Sequence, residues 1–258
     1  MTPHICSLYS GSTGNSFLIG CGADCILIDA GKNAKALCSA IRSCGYEPDQ
    51  VRAIFVTHEH RDHISAIPVF LKKHPVPVHI VAASAYRLEV KDSAASLLVL
   101  HTPLYRETVG PFTVSSFPTP HDSRASVGYR IEIADGTDVY RVGYATDIGR
   151  VTAQIEAGLT GCDSVILESN HDPEMLENGS YPDELKRRIR SDRGHLANGD
   201  CAALAAKLAE SGTHRIMLAH LSRENNTPDT AYAETLGCLA GNDTVLCVAS
   251  PDEVTVLL

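Results

Sequence analysis

Residues 53–56, Ala-Ile-Phe-Val, run straight into Thr57-His58-Glu59-His60-Arg61-Asp62-His63, and this junction constrains the chain more than any other stretch. A short apolar run reads as a strand buried on both faces. The polar segment ends it with three histidines and an aspartate within six residues. Side chains two apart on extended backbone project the same way, so His58 and His60 can grip one ion. A turn then redirects Asp62 and His63 toward a second point. Imidazole with carboxylate suits zinc, manganese or iron far better than calcium. The bland alternative is a solvated loop that happens to be rich in histidine. Neighbouring imidazoles and a carboxylate are costly to gather without a metal, and loops at strand ends are where sites occur.

The remaining chain supplies a frame for such a loop. Its 258 residues are 44% hydrophobic and 21% charged, ordinary globular proportions that give a large core without staples. We expect one domain over residues 1–258. Strands are predicted at 5–9, 16–19, 25–28, 53–56, 78–81, 112–114, 127–133, 139–145, 164–167 and 215–219, and a closing β pair joins 244–248 to 254–258. Asp135-Gly136 between two of these is a hairpin signal. Helical periodicity marks 33–44, 64–73, 82–89, 152–157, 199–210 and 232–240. The polar segment 172–193 reads as partly helical. The rhythm of strands, helix and strand in both halves predicts an α+β fold, two mixed sheets with helices outside in an α/β/β/α sandwich.

The formal charge is −9, which argues against broad, sequence-blind attraction to nucleic acid but leaves room for a local basic patch. The start lacks a basic region followed by an apolar one, and no run of 18 apolar residues exists, so we expect neither leader nor membrane span. Nine scattered cysteines, never spaced Cys-x-x-Cys, read as reduced thiols of a cytoplasmic protein.

The His-x-His-x-Asp-His signature resembles the metallo-β-lactamase superfamily of binuclear metal hydrolases, and the resemblance runs across nearly the whole chain. Asp29 in Leu27-Ile28-Asp29-Ala30-Gly31 is similar to the first motif. His58, His60, Asp62 and His63 match the second, His121 the third, Asp147 the fourth and His220 the fifth. The resemblance implies a four-layer sandwich and two divalent ions, zinc or manganese, with iron also suited. His58, His60 and His121 would hold one ion and Asp62, His63 and His220 the other, with Asp147 bridging. Asp29 would orient a ligand. A hydroxide between the ions would attack the substrate, and the cleft would be electropositive despite the acidic total.

The superfamily does not choose a substrate. The segments 10–16, 168–172, 193–198 and 220–226 together look like its YycJ (WalJ) branch, associated with exonuclease action on DNA. That implies DNA ends as substrate and hydrolysis of a phosphodiester. His195 is the candidate to hold the scissile phosphate or protonate the leaving oxygen. Glu168, after an apolar strand, is a candidate to act in catalysis by orienting His195 or a ligand. The turn 11–16, through Ser12 and Asn15, could cradle a phosphate or simply join two strands. Lys186, Arg187, Arg188, Arg190 and Arg193 form one basic cluster, in which Arg187, Arg188 and Arg193 are candidate phosphate contacts. His171 is unassigned. The competing readings are the same fold with a small substrate (a cyclic phosphodiester, thioester or lactone) and a metal-binding module without turnover.

Overall fold

Alternation along each strand decides which layer a residue joins. In β3 (Asp24–Ile28) Cys25 and Leu27 enter one apolar cluster while Ile26 and Ile28 enter another. The computed structural model describes residues 3–90, 92–136 and 138–258. Residues 1–2, part of the stretch read for a leader, and Thr137, beside the hairpin turn, lie outside the described residues.

Two seven-stranded sheets result among the described residues. The first runs in the order β14 (Thr255–Val256), β1 (His4–Tyr9), β2 (Ser16–Cys21), β3, β4 (Val51–Phe55), β5 (Val78–Val81) and β6 (Leu98–His101). The second runs β13 (Val245–Val248), β12 (Arg215–Ala219), β11 (Ser164–Glu168), β10 (Asp138–Ala145), β9 (Ser126–Asp135), β8 (Phe112–Thr119) and β7 (Arg106–Val109). Each sheet changes from antiparallel to parallel in mid-course, at β3 and at β10.

Phe17, Phe55, Tyr129 and Tyr144 fill the space between the sheets. Phe17 meets Tyr144 edge-on at 5.1 Å between ring centroids, and the Tyr129 hydroxyl donates to the Val56 carbonyl at 2.6 Å. Aromatic pairs of this kind add about 0.5–1.5 kcal/mol beyond burial and fix how the sheets are rotated. Leu37 and Ile41 of α1 (Ala34–Ser43) cover the outer face of the first sheet. Past the one-turn α2 (Arg61–Ile64), Ile67 and Phe70 of α3 (Ile67–Phe70) join them. After the short α4 (Asp92–Ala95), the outer face of the second sheet is covered by α5 (Ala153–Leu159). Two short helices, α6 (Pro173–Asn178) and α7 (Asp183–Ile189), then precede α8 (Asn198–Glu210) and α9 (Pro228–Cys238), which finish that covering. The architecture is the expected α/β/β/α sandwich. Among the described residues no helix is long and apolar enough to cross a membrane.

Several local expectations need correction. The helix expected over 64–73 is the single turn α3 plus further turns, because Pro68 restarts the helix rather than continuing it. Residues 82–89 hold one 3-10 turn, Ala85–Arg87. Strands β6 and β7 escaped the sequence reading because their half-exposed edges blur the alternation. α9 starts at Pro228 rather than 232, where the Thr227 hydroxyl accepts from the Thr230 amide and proline takes the first helical position. The closing β pair does not form: β13 joins the second sheet and β14 pairs with β1 in the first.

At one end of the first sheet His79 Nδ1 faces His101 Nε2 at 3.0 Å, in rings inclined by only 11°. At that distance the two nitrogens can share an N–H···N hydrogen bond. Burial, and then the like charge of His101, pushes the His79 imidazole down to about 4. A base with a depressed folded pKa binds its proton more readily when unfolded. Its contribution to stability is therefore present above about pH 6.5 and lost as pH falls toward 4. Urea unfolding at pH 7 and pH 5 is expected to show a smaller loss of stability for His79→Gln than for the parent chain; an equal loss in both would refute this.

Candidate metal centre

Strands of both sheets deliver their following residues to one edge of the sandwich. Asp29 follows β3, the Thr57–His63 loop follows β4, His121 follows β8, Asp147 follows β10 and His220 follows β12, while Glu168 is the last residue of β11. Asp29, Asp147 and His220 have φ of 60°, 56° and 58°. This left-handed backbone costs a non-glycine residue on the order of 1–3 kcal/mol, and it turns each side chain inward as its strand ends. The surroundings hold the bends in place. The Asp29 amide donates to the Phe55 carbonyl at 2.9 Å, and the His220 amide donates to Ser10 Oγ at 2.8 Å.

Asp29 is fully buried and serves three donors. Its oxygens accept from the Thr57 amide and the Thr57 hydroxyl, each at 2.8 Å, and from His63 Nδ1 at 2.8 Å. Thr57 Oγ1 also lies 3.0 Å from His58 Nδ1. One carboxylate thus sets two imidazoles, directly or through a hydroxyl, and turns their Nε2 atoms toward the centre. Glu168 repeats the device on the other sheet. Its Oε1 lies 2.8 Å from His195 Nδ1 and 2.9 Å from His220 Nδ1, and its Oε2 accepts from the Ile148 and Leu196 amides. Both oxygens are engaged and the residue is buried, so Glu168 positions imidazoles and is not placed to touch a substrate. His121 Nδ1 is held by the Gly194 carbonyl at 3.1 Å, leaving Nε2 inward.

Seven residues singled out in the sequence converge here. Donor atoms within 4.8 Å of one another group as His58, His60 and His121, as Asp62, His63 and His220, and as His58, His63 and Asp147. Asp147 sits between the first two groups, with Oδ1 at 3.7 Å from His121 Nε2 and Oδ2 at 3.4 Å from His63 Nε2. His58 Nε2, His220 Nε2 and Asp147 Oδ2 are buried and have no hydrogen-bond partner among the described residues. Leaving such atoms unpaired costs about 1–3 kcal/mol each, and cations between them satisfy all three. The residues fit divalent metal.

The field points the same way. Burial, then the neighbouring His63, His121 and His60, holds His58 well below the usual imidazole range, in the neutral form that binds metal. Burial alone would raise the Asp147 carboxyl, but His220, His63 and His121 pull it below its ordinary value. Burial likewise works against charge on His220, yet Asp147, Asp62 and Glu168 raise it to about 10. The carboxylates create a potential that favours positive charge at the centre.

Other expected residues take different places. Asn15 is buried: its Oδ1 accepts from the Gly11 amide at 2.8 Å, and its Nδ2 donates to the Gly11 carbonyl at 3.0 Å and to Asp62 Oδ2 at 3.2 Å. It closes the turn and holds Asp62, so the phosphate contact expected of it is not available. Gly31 makes this possible, since a Cβ there would lie 1.8 Å from the Asp62 carbonyl. Arg193 donates to the His121 and Ser123 carbonyls and braces the loop that carries His121. Lys186 and Arg190 both bind Glu177, which ties α7 to α6.

A cavity of about 160 Å³ opens beside His195 and His220, and Ser12 and Arg188 line it. Arg188 pairs with Asp122, while Arg187 is exposed and outside the lining. Sequence reasoning missed Thr57 and Ser10, whose hydroxyls fix ligand backbones and rings. Their only signal was a small polar residue adjoining a strand end.

The profile of the beta-lactamase superfamily domain matches residues 24–221. The exodeoxyribonuclease WalJ of Streptococcus pneumoniae serotype 2 (strain D39 / NCTC 7466) is 33% identical over 97% of this chain and 95% of its own length. The exodeoxyribonuclease YycJ of Bacillus anthracis is 34% identical over 88% of this chain and 86% of its own. The metallo-beta-lactamase fold protein YhfI from Bacillus subtilis superposes with a TM-score of 0.71 at 20% identity, covering 99% of this chain and 100% of that one.

Asparagine tolerates left-handed backbone, so Asp29→Asn keeps the bend while removing the charge that orients His63. Zinc affinity from competition with a chromogenic chelator is expected to fall about 10–100-fold with the fold intact. An unchanged affinity would remove Asp29 from the centre.

Proposed function

The chain belongs to the beta-lactamase superfamily and is a metal-dependent hydrolase, and on that footing we propose that it is an exodeoxyribonuclease that works with two divalent ions. The reading is carried by seven metal-type donors converging in a chain that matches an exodeoxyribonuclease over 97% of its length. In this reading His58, His60 and His121 would hold one ion, Asp62, His63 and His220 would hold the other, and Asp147 would serve both. The nitrogen and oxygen donors suit zinc or manganese, and iron is compatible. Bound there, such a pair acidifies water and offsets the charge of a phosphodiester.

The protein's own groups then divide the work. His195 lines the cavity, and Glu168 holds its Nδ1. Its Nε2 is left to hydrogen-bond the scissile phosphate or give a proton to the departing oxygen. Asp62 and Asn15 are locked together, which keeps Asp62 directed at the centre. Ser12 and Arg188 stand at the mouth, where a nucleic-acid backbone enters. Nine cysteines without a disulfide suit a reducing cytoplasm.

End-labelled linear DNA should release mononucleotides, while closed circular DNA resists. A chelator should stop the release, and zinc or manganese should restore it. DNA left intact while a thioester or small cyclic phosphodiester turns over would establish the small-substrate reading instead. Replacing His195 by Ala is expected to lower kcat about 10²–10⁴-fold with metal content, measured by elemental analysis, unchanged.

A further inference from the structure

The segment 172–193, polar in sequence, forms one wall of the cavity that leads to the metal centre. Tyr181, Leu185, Arg188 and Ile189 line that wall. Leu185, Arg188 and Ile189 fall on one face of α7 by their spacing of three and four, and Tyr181 precedes the helix by two residues. Tyr181 is the one lining residue with a phenol or phenyl ring, and the imidazoles of His195 and His220 stand across from it as metal-site groups.

The wall is tied to the reacting end rather than free to swing. The His195 amide donates to the Ile189 carbonyl at 2.9 Å, and Arg193 binds the His121 carbonyl at 2.9 Å. Arg188 pairs with Asp122, next in sequence to His121. Any group lying on the wall is therefore held in fixed register with the centre. The cavity volume, about 160 Å³, is well under the roughly 300 Å³ at which drug-sized pockets begin. Its size suits one planar base.

We infer that this wall reads the terminal nucleotide: its base stacks on Tyr181 over Leu185 and Ile189, and Arg188 meets the adjoining phosphate. Stacking on an aromatic ring tolerates any base, so this contact selects an unpaired end rather than a sequence. A single-base recess beside the centre makes the chain act from ends and one nucleotide at a time. The inference rests on the exodeoxyribonuclease reading and assigns the specificity of that same site.

The test uses metal-replete protein and single-stranded oligonucleotides whose terminal residue either carries a base or is abasic, prepared at each end in turn. The parent chain is expected to remove the base-bearing terminal residue at least tenfold faster than the abasic one. Tyr181→Ala should lose roughly tenfold in kcat/KM on the base-bearing end and nothing on the abasic end, which also reports that the variant is folded. Tyr181→Phe should behave as the parent. Equal losses on both ends, or a parent chain indifferent to the terminal base, would overturn the inference while leaving the nuclease reading standing. A parent chain that removes neither residue would overturn the nuclease reading and this inference with it.

Discussion

Two buried carboxylates, Asp29 at the end of a strand in one sheet and Glu168 at the end of a strand in the other, hold the site together. Asp29 fixes His63 directly and His58 through Thr57. Glu168 fixes His195 and His220. Each carboxylate belongs to a different sheet, so the ligand geometry is only as accurate as the packing between sheets. That packing is set by large aromatic groups in close contact, such as Phe17 on Tyr144, which tolerate little sliding. The core between the sheets therefore acts as the ruler for the distance between the two groups of ligands.

The cost of the site is visible in the same residues. Asp29, Asp147 and His220 adopt left-handed backbone, several imidazoles crowd together, and the buried carboxylates of Asp147 and Glu168 fall in one donor group. None of this is favourable in an empty apolar setting. Divalent ions would relieve the repulsion among the acids and give the unpartnered nitrogens something to bind. Metal and fold are consequently linked, and ion binding adds to stability as well as to chemistry.

The sequence made the site more legible than the elements around it. Thr57 to His63 announces itself because seven adjacent residues hold four metal-type donors, and the double burial of β3, β4, β11 and β12 writes most of their length as apolar runs. Asp147 and His220 are single residues after such runs, and only the family pattern distinguishes them from ordinary turn residues. Asn15 looked like a phosphate contact because residue type says nothing about which partner a side chain finds. It closes its own turn and holds Asp62. The edge strands β6 and β7 are half-exposed, so hydrophobic alternation hardly marks them.

The ligands are spread along the chain in an order that has a kinetic side. The first carboxylate stands at position 29 and the last imidazole at 220, and β14 closes onto β1 from residues 255–256. A nascent polypeptide emerges from the ribosome N-terminal end first, at roughly 5–20 residues per second. Until residue 220 has emerged the centre lacks His220, and until residues 255–256 follow β1 lacks its β14 partner. The donor set is thus assembled late, from residues that lie almost two hundred positions apart, so the centre forms only after strands of both sheets have been made.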